Sequence, residues 1–359
     1  MFSRRAMLAK CFNGLGTLGL AAVLSPKALG NGSNGGSVQA RQPHFAPKAK
    51  RIIHLWMNGA PSQVDTFDPK PALRKYAGTR PASTVPLTTE NVTGGLMPSP
   101  FAFARHGSSG IEISELFPEV ARHADRLCVI RSMQTDVPVH ESSNWMLFTG
   151  SIQPNRPSYG SWLLYGLGSE NENLPGFIVL GEQGQPVNGP SNWSSRFLPG
   201  IYQGCQVALP KSYQPREVIP WDHHSKNSES HRNHAAVVDR PIAALLGDLA
   251  QRGLLEDTLV LWGGEFGRTP TSQGDDGRDH NHHGFTVWLA GGGVRGGLTY
   301  GATDDFGFKA VDKPVHVHDL HATMLHLMGL DHEKLTYRYS GRDFRLTDVH
   351  GRVVGEILA

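Results

Sequence analysis

Between residues 51 and 328 the chain alternates short, unbroken apolar runs with segments of helical spacing. That alternation limits the possible fold more than any other feature. Arg51-Ile-Ile-His-Leu-Trp-Met57 is rich in strand formers and stops at Asn58-Gly59-Ala60-Pro61. Leu127–Arg131, Gly176–Leu180, Thr258–Trp262 and Phe285–Ala290 read as strands in the same way. Ser114–Arg126 has helical spacing and runs into the strand at Leu127, with Leu116, Val120 and Leu127 on one face. Ala235–Arg252 is the clearest helix: Val238, Ile242, Leu245, Leu246 and Leu249 recur at three- and four-residue intervals, and Gly253 suits the stop. Asp319–Met328 is a further helix, with Asp319 as its N-cap. Strands without polar alternation are covered on both faces, so the expected fold is α/β, a mostly parallel sheet with helices on both sides. In such sheets chemistry gathers beyond the carboxyl ends of the strands. No repeat of 20–50 residues is visible.

Composition removes several classes of function. With 359 residues the chain can bury a large core, as one large domain or two smaller ones. Charged residues are 18%, below the roughly 25% of an average soluble domain. The net charge of +2 leaves no basic face for nucleic acid and no acidic tail. Histidine is over-used: there are 18, and 12 lie between Asp222 and His332. Imidazole is the commonest metal ligand, so this clustering points to metal chemistry.

Residues 1–30 have a basic start (Arg4-Arg5), a short apolar stretch over Gly14–Leu24 and small residues near Ala28 and Gly30. These are the parts of an export signal, and Ser-Arg-Arg-x-Met-Leu resembles the twin-arginine motif. The expectation is a periplasmic or extracellular protein, exported already folded and with no stable membrane anchor. Residues 31–50 read as a flexible linker and 51–359 as the functional domain. Without the leader, Cys128 and Cys205 permit at most one disulfide, and Cys128 inside Leu127-Cys-Val-Ile130 reads as a core thiol.

Three segments place ligand-type side chains near strand ends. They are Trp221-Asp222-His223-His224, leading toward His231 and His234; Glu265 after the fourth strand; and Asp279-His280-Asn281-His282-His283 before the fifth. Asp222, His224, Asp279, His280 and His283 are the candidate metal ligands, because divalent ions need imidazole nitrogens and carboxylate oxygens to converge. His140, in Val137-Pro-Val-His-Glu-Ser-Ser143, is a further ligand or a substrate contact. With Ser142 or Ser143 it would supply a base or nucleophile, and Glu265 a ligand or base. Asn58, Ser62 and Asp65 after the first strand, and Arg268, are candidate substrate contacts. His316, His318 and His321 read as structural hydrogen bonders. Gly291–Gly297 lacks both G-x-G-x-x-G and Gly-Lys-Ser/Thr and reads as turns.

Four of these stretches carry a resemblance. They are Asn58-Gly-Ala-Pro-Ser-Gln-Val-Asp-Thr-Phe-Asp-Pro-Lys70, Trp262-Gly-Gly-Glu-Phe-Gly-Arg-Thr-Pro270, Gly277-Arg-Asp-His280 and Tyr339-Ser-Gly-Arg-Asp-Phe344. Together they resemble an exported, sulfatase-like family known as domain of unknown function 1501, over nearly all of residues 50–355. The resemblance implies an alkaline phosphatase-like three-layer sandwich that hydrolyses phosphate or sulfate esters with divalent metal. It also implies departures here. The first metal-binding Asp of that superfamily falls near Asn58, its nucleophile near His140, and its later Asp-His pair on Glu265-Phe266. Phe266 cannot bind metal, and no Cys-x-Pro-x-Arg offers a formylglycine. The resemblance therefore implies one metal (zinc, calcium or manganese) rather than two, held by Asp222, His224 and His280 or His283. A small anionic ester is the implied substrate. Relatives carry a longer segment where residues 205–220 stand, so the alternative is a degenerate member that binds metal or an anion without turnover.

Overall fold

The computed structural model describes residues 38–80, 91–171, 173–181, 186–208 and 219–359. The export signal expected at residues 1–30 lies outside them, as do residues 209–218 of the shortened stretch. Six strands form the central sheet: β1 (Arg51–Trp56), β2 (Leu127–Gln134), β3 (Thr258–Gly263), β4 (Phe285–Ala290), β5 (Leu298–Tyr300) and β6 (Val315–His316). Five run in the order β1-β3-β4-β2-β5, and β6 also pairs with β2. β1 is parallel to β3, and β5 and β6 are parallel to β2, but β4 is antiparallel to both β3 and β2. The sheet is thus mixed, where the apolar runs suggested a mostly parallel one.

That reversal positions the site. Antiparallel neighbours can be joined at one edge without a crossover, so residues 264–284 stay at the edge where β3 ends. β1 and β2 run in the direction of β3, so the segments that follow them emerge at the same edge.

Successive residues of β3 face opposite sides, as a strand's period of two requires. Val260 and Trp262 join Ile242, Leu246 and Leu249 of helix α4 (Asn227–Gln251) in one apolar cluster. Leu259 and Leu261 join Leu320, Met324 and Leu327 of helix α5 (Val317–Leu327) in another. Truncating any of these leucines to alanine costs about 2–5 kcal/mol, since burial is lost and a cavity is left. Four shorter helices complete the scaffold among the described residues: α1 (Gln63–Thr66), one turn at Pro71–Lys75, α2 (His140–Thr149) and α3 (Tyr159–Leu167).

Several local expectations are corrected. Ser114–Arg126 is not one helix but the end of a strand, Ile111–Ser114, followed by a 3-10 helix at Val120–Arg126. Its first N–H groups, of Glu119 and Val120, donate to the Asp239 carboxylate of α4 at 2.9 and 2.8 Å. The strand near Gly176–Leu180 forms at Ile178–Gly181 but pairs only with Cys205–Ala208, off the central sheet. α4 starts at Asn227 rather than Ala235, because polar His231 is buried along with the apolar face. α5 is capped by His316, whose Nδ1 accepts from His318 N at 3.2 Å, while Asp319 accepts from His316 N at 3.0 Å. Of the stretch read as a linker, residues 38–50 lie along the domain: Arg41 N donates to Leu167 O at 2.6 Å and Lys48 N to Leu327 O at 2.8 Å. Cys128 is fully buried, and burial pushes its thiol up to about 12. Among the described residues no helix is long and apolar enough to cross a membrane.

Candidate metal centre

At the shared edge, four side chains from three segments meet. Asp222 lies just before α4, and its Oδ1 is 3.2 Å from His140 Nε2, 3.0 Å from His224 Nε2 and 3.2 Å from His280 Nε2. His224 Nε2 and His280 Nε2 are 3.0 Å apart. His140 opens α2 after β2, and His280 comes from the β3–β4 connection. Gly59 makes this close approach possible. Its φ is +99°, and a β-carbon there would lie 2.6 Å from Ile219 Cγ2 and 2.7 Å from the Asp222 backbone nitrogen.

The far side of each ring decides its chemistry. His280 Nδ1–H donates to the Pro138 carbonyl at 2.6 Å, His140 Nδ1–H to Glu265 Oε1 at 2.6 Å, and His224 Nδ1–H to Gln273 Oε1 at 2.5 Å. Hydrogens on all three Nδ1 atoms leave all three Nε2 lone pairs aimed at one carboxylate oxygen. Lone pairs do not converge unless protons or a cation lie between them. Nδ1 atoms tied to outer acceptors, with Nε2 atoms converging, are what a metal-ligating histidine set requires. The separations of 3.0–3.2 Å are close to the edge of about 3.3 Å expected for a tetrahedron with ligand bonds of about 2.0–2.1 Å. The residues therefore fit a divalent ion.

Without an ion, protons stabilise the cluster. Burial opposes the charged form of His140, but hydrogen bonds to Asp222 and Glu265 outweigh it and push the ring up to about 9. His224 is raised by its bond to Asp222. His280 is lowered, chiefly by burial. Burial disfavours the Asp222 carboxylate, yet bonds from His140, His224 and His280 and the charge of Arg268 hold it far below the usual carboxylate range. The side chains of Asp222 and His224 remain 20% and 30% exposed, so the cluster opens to solvent on that side. Behind it, the Phe266 ring packs 4.9 Å from His140 and 4.6 Å from His280, between ring centroids.

A family model described as protein of unknown function (DUF1501) matches residues 49–220 and 207–358, which together span most of the chain. The chain belongs to the DUF1501 family. No curated protein matches it in sequence. Among solved structures, it is similar to the lipoteichoic acid synthase LtaP from Listeria monocytogenes, with 10% identity over 87% of this chain and 78% of the other, at a TM-score of 0.41. It is also similar to the PsFucS1 sulfatase from Pseudoalteromonas sp., with 14% identity over 60% of this chain and 63% of the other, at 0.33. A third is a structure described for metabolism of multiple glycosaminoglycans by Bacteroides thetaiotaomicron, with 14% identity over 60% and 65%, at 0.37. This chain spans just under two thirds of the length of the last two. These likenesses are loose, and the geometry of the centre itself carries its chemistry.

In this DUF1501 chain, Asp222, His224 and His280 converge as the sequence suggested, and His140 joins them as a fourth donor. Asp279 forms a second candidate ligand group with His224 and His280, its Oδ1 3.8 Å from His224 Nδ1, with its other oxygen accepting from Asn91 N at 2.9 Å. His283 does not reach the cluster; its ring lies against His282, 3.8 Å between centroids. Glu265 is fully buried and holds His140 and the Gly59 N–H, at 3.0 Å, rather than facing solvent. Ser143 points back to the Val137 carbonyl at 2.5 Å, and Ser142 is half-buried on the same helix.

The residues proposed as substrate contacts are mostly buried and bonded within the protein. Arg268 is fully buried, donating to Asp222 Oδ1 at 2.7 Å and to the carbonyls of Gly59 and Ala60. Its guanidinium is occupied by that carboxylate and those backbone carbonyls. Asp65 forms a two-pronged buried pair with Arg278, at 2.7 and 3.1 Å, which brings it down to about 2 although burial opposes this. Ser62 is buried, its N–H donating to His231 Nε2 at 3.0 Å. Asn58 is half-buried, its carbonyl accepting from Trp221 N at 3.1 Å. Gln273 and the Pro138 carbonyl were not foreseen: a loop glutamine and a backbone oxygen carry no compositional signal.

Proposed function

We propose that this chain is an exported, metal-dependent hydrolase of sulfate or phosphate esters, on an alkaline phosphatase-like three-layer fold, with one divalent ion held by His140, Asp222, His224 and His280. The observation that carries this is the convergence of three imidazole Nε2 atoms on Asp222 Oδ1 while every Nδ1 is tied to an outer acceptor. Three nitrogens against one oxygen favour zinc, or manganese, over calcium, which prefers oxygen ligands. When bound, such an ion polarises an ester oxygen and lowers the pKa of water. Solvent access at Asp222 and His224 supports a catalytic site more than a closed structural one. Glu265, Gln273 and the Pro138 carbonyl hold the three rings in register, Arg268 fixes the carboxylate, and Phe266 keeps water from the rear of the cluster. With Ser143 tied to the Val137 carbonyl, attack by water fits better than attack by that serine. The substrate class follows from the family resemblance together with the open cationic site; a small anionic ester is the expected partner.

Elemental analysis of the leader-free protein, purified without chelator or His-tag, tests the metal. A panel of nitrophenyl phosphates, phosphodiesters and sulfates then tests turnover. Near one zinc or manganese per chain and chelator-sensitive hydrolysis are expected. No bound metal after reconstitution would overturn the reading. A second reading, a metal-binding member without turnover, is favoured by one observation: the Ser143 hydroxyl, close to His140 in sequence, is bound to the Val137 carbonyl. Stoichiometric metal with no hydrolysis of any ester would select it.

A further inference from the structure

Away from the metal centre, an open cleft of about 810 Å³ lies between the 154–156 turn, the 194–197 segment and a hairpin of strands β7 (Tyr337–Tyr339) and β8 (Arg342–Phe344). Guanidinium groups of Arg156, Arg196 and Arg342 line it, and no carboxylate does. Arg156 and Arg342 both stack on the Phe344 ring, 4.3 and 4.8 Å from its centroid. One carboxylate outside the lining, Asp348, serves both of them. Arg196 has no such partner: among the described residues its exposed guanidinium makes no ion pair or hydrogen bond. Its backbone is held in the left-handed region, at φ +46°, which a non-glycine residue adopts only when its surroundings impose it. Beside it, Phe197 stacks with Tyr339 at 5.0 Å, and Tyr339 stays 48% exposed.

We propose that this cleft binds an acidic saccharide, with a hydroxylated ring seated on Tyr339 and its carboxylate or sulfate group against Arg196 and Arg342. Guanidinium forks match such oxyanions two bonds at a time, and an amphipathic tyrosine takes the apolar face of a sugar ring while its hydroxyl meets water. Nucleic acid fits less well. A net charge of +2 gives no extended track for phosphates, and Phe344 is already covered by guanidinium groups, leaving no run of platforms for successive bases. The cleft shares no lining residue with the metal centre, so the two readings stand or fall separately.

Calorimetric titration of the full chain with a heparin-derived tetrasaccharide tests the proposal, with maltotetraose and a thymidine tetranucleotide alongside. Binding that weakens with salt is expected, with none of maltotetraose and equal affinity in chelator-stripped protein. Arg196→Gly removes the unpartnered charge and suits the left-handed backbone, so it folds and binds about tenfold more weakly, the loss expected for a charge-assisted contact. Tyr339→Ala also weakens binding. The proposal is overturned if the native chain does not bind the tetrasaccharide, if Arg196→Gly binds it unchanged, or if the tetranucleotide binds as tightly.

Discussion

The Nδ1 atoms of His140, His224 and His280 are each committed to an acceptor outside the cluster, and single substitutions can release them one at a time. Glu265→Gln keeps the shape behind His140 but removes the charge that fixes its ring. Losing an outer partner of this kind lowers metal affinity by about 10–100-fold, and a zinc titration should read that drop with the melting temperature nearly unchanged. His280→Ala should lower metal occupancy sharply; unchanged occupancy would remove His280 from the ligand set. Gly59→Ala acts from the other side: its β-carbon would press on the backbone that carries Asp222. A comparable loss of affinity is expected there, and an unaltered zinc titration would show that this approach is not needed. Asp222, His224 and His280 were legible because histidine and aspartate are dense around them. Ser142 and Ser143 misled because nearness in sequence to His140 is not nearness in space. On a helix, the residue two positions on is turned about 200° away, and Ser143, three positions on and so on the neighbouring face, is drawn back by its bond to the Val137 carbonyl.

At the scale of elements, the Asp65–Arg278 pair ties α1 to the segment that carries His280, with both side chains fully buried. Removing one partner of a buried pair leaves an uncompensated charge, at about 3–5 kcal/mol. Arg278→Ala should therefore lower the unfolding free energy read from a urea titration by that amount, and a loss under about 1 kcal/mol would show the pair to be solvated. The strands themselves were readable: the runs at 51, 127, 258 and 285 all form, close to the expected bounds. Their directions were not. A fully buried strand is apolar on both faces whichever way it runs, so Phe285–Ala290 gave no sign of lying antiparallel to its neighbours. The Ile178–Gly181 run also forms a strand, but off the central sheet, since so short an apolar run does not say which sheet it joins.

Across the whole molecule, two linked equilibria set stability. Burial pushes His321 down to about 3 and His318 to about 4, and each is neutral in the folded chain. Unfolded, they take up protons near 6.5. The unfolded state thus binds more protons below that pH, and stability falls by roughly 1.4 kcal/mol per pH unit for each ring until the folded forms also protonate. Urea midpoints should drop from pH 6.5 toward 4, and His321→Gln should shallow that slope; an unchanged slope would remove His321 from the cause. Metal acts in the opposite sense. An ion at about 100 times its dissociation constant adds about 2.7 kcal/mol, so zinc should raise the melting temperature of the native chain and not that of His280→Ala.

The donors come from the start of α2, from the segment ahead of α4 and from the connection between β3 and β4, with His280 142 residues beyond the Pro138 carbonyl that orients it. No shorter contiguous piece of chain contains them all. On the proposed reading, a chain still being synthesised would have no place for the ion until residue 280 had emerged and the sheet edge had closed, so chains ended before that point would not compete for it. Capture of the proposed ion would then mark chains extended past residue 280 and folded at this edge.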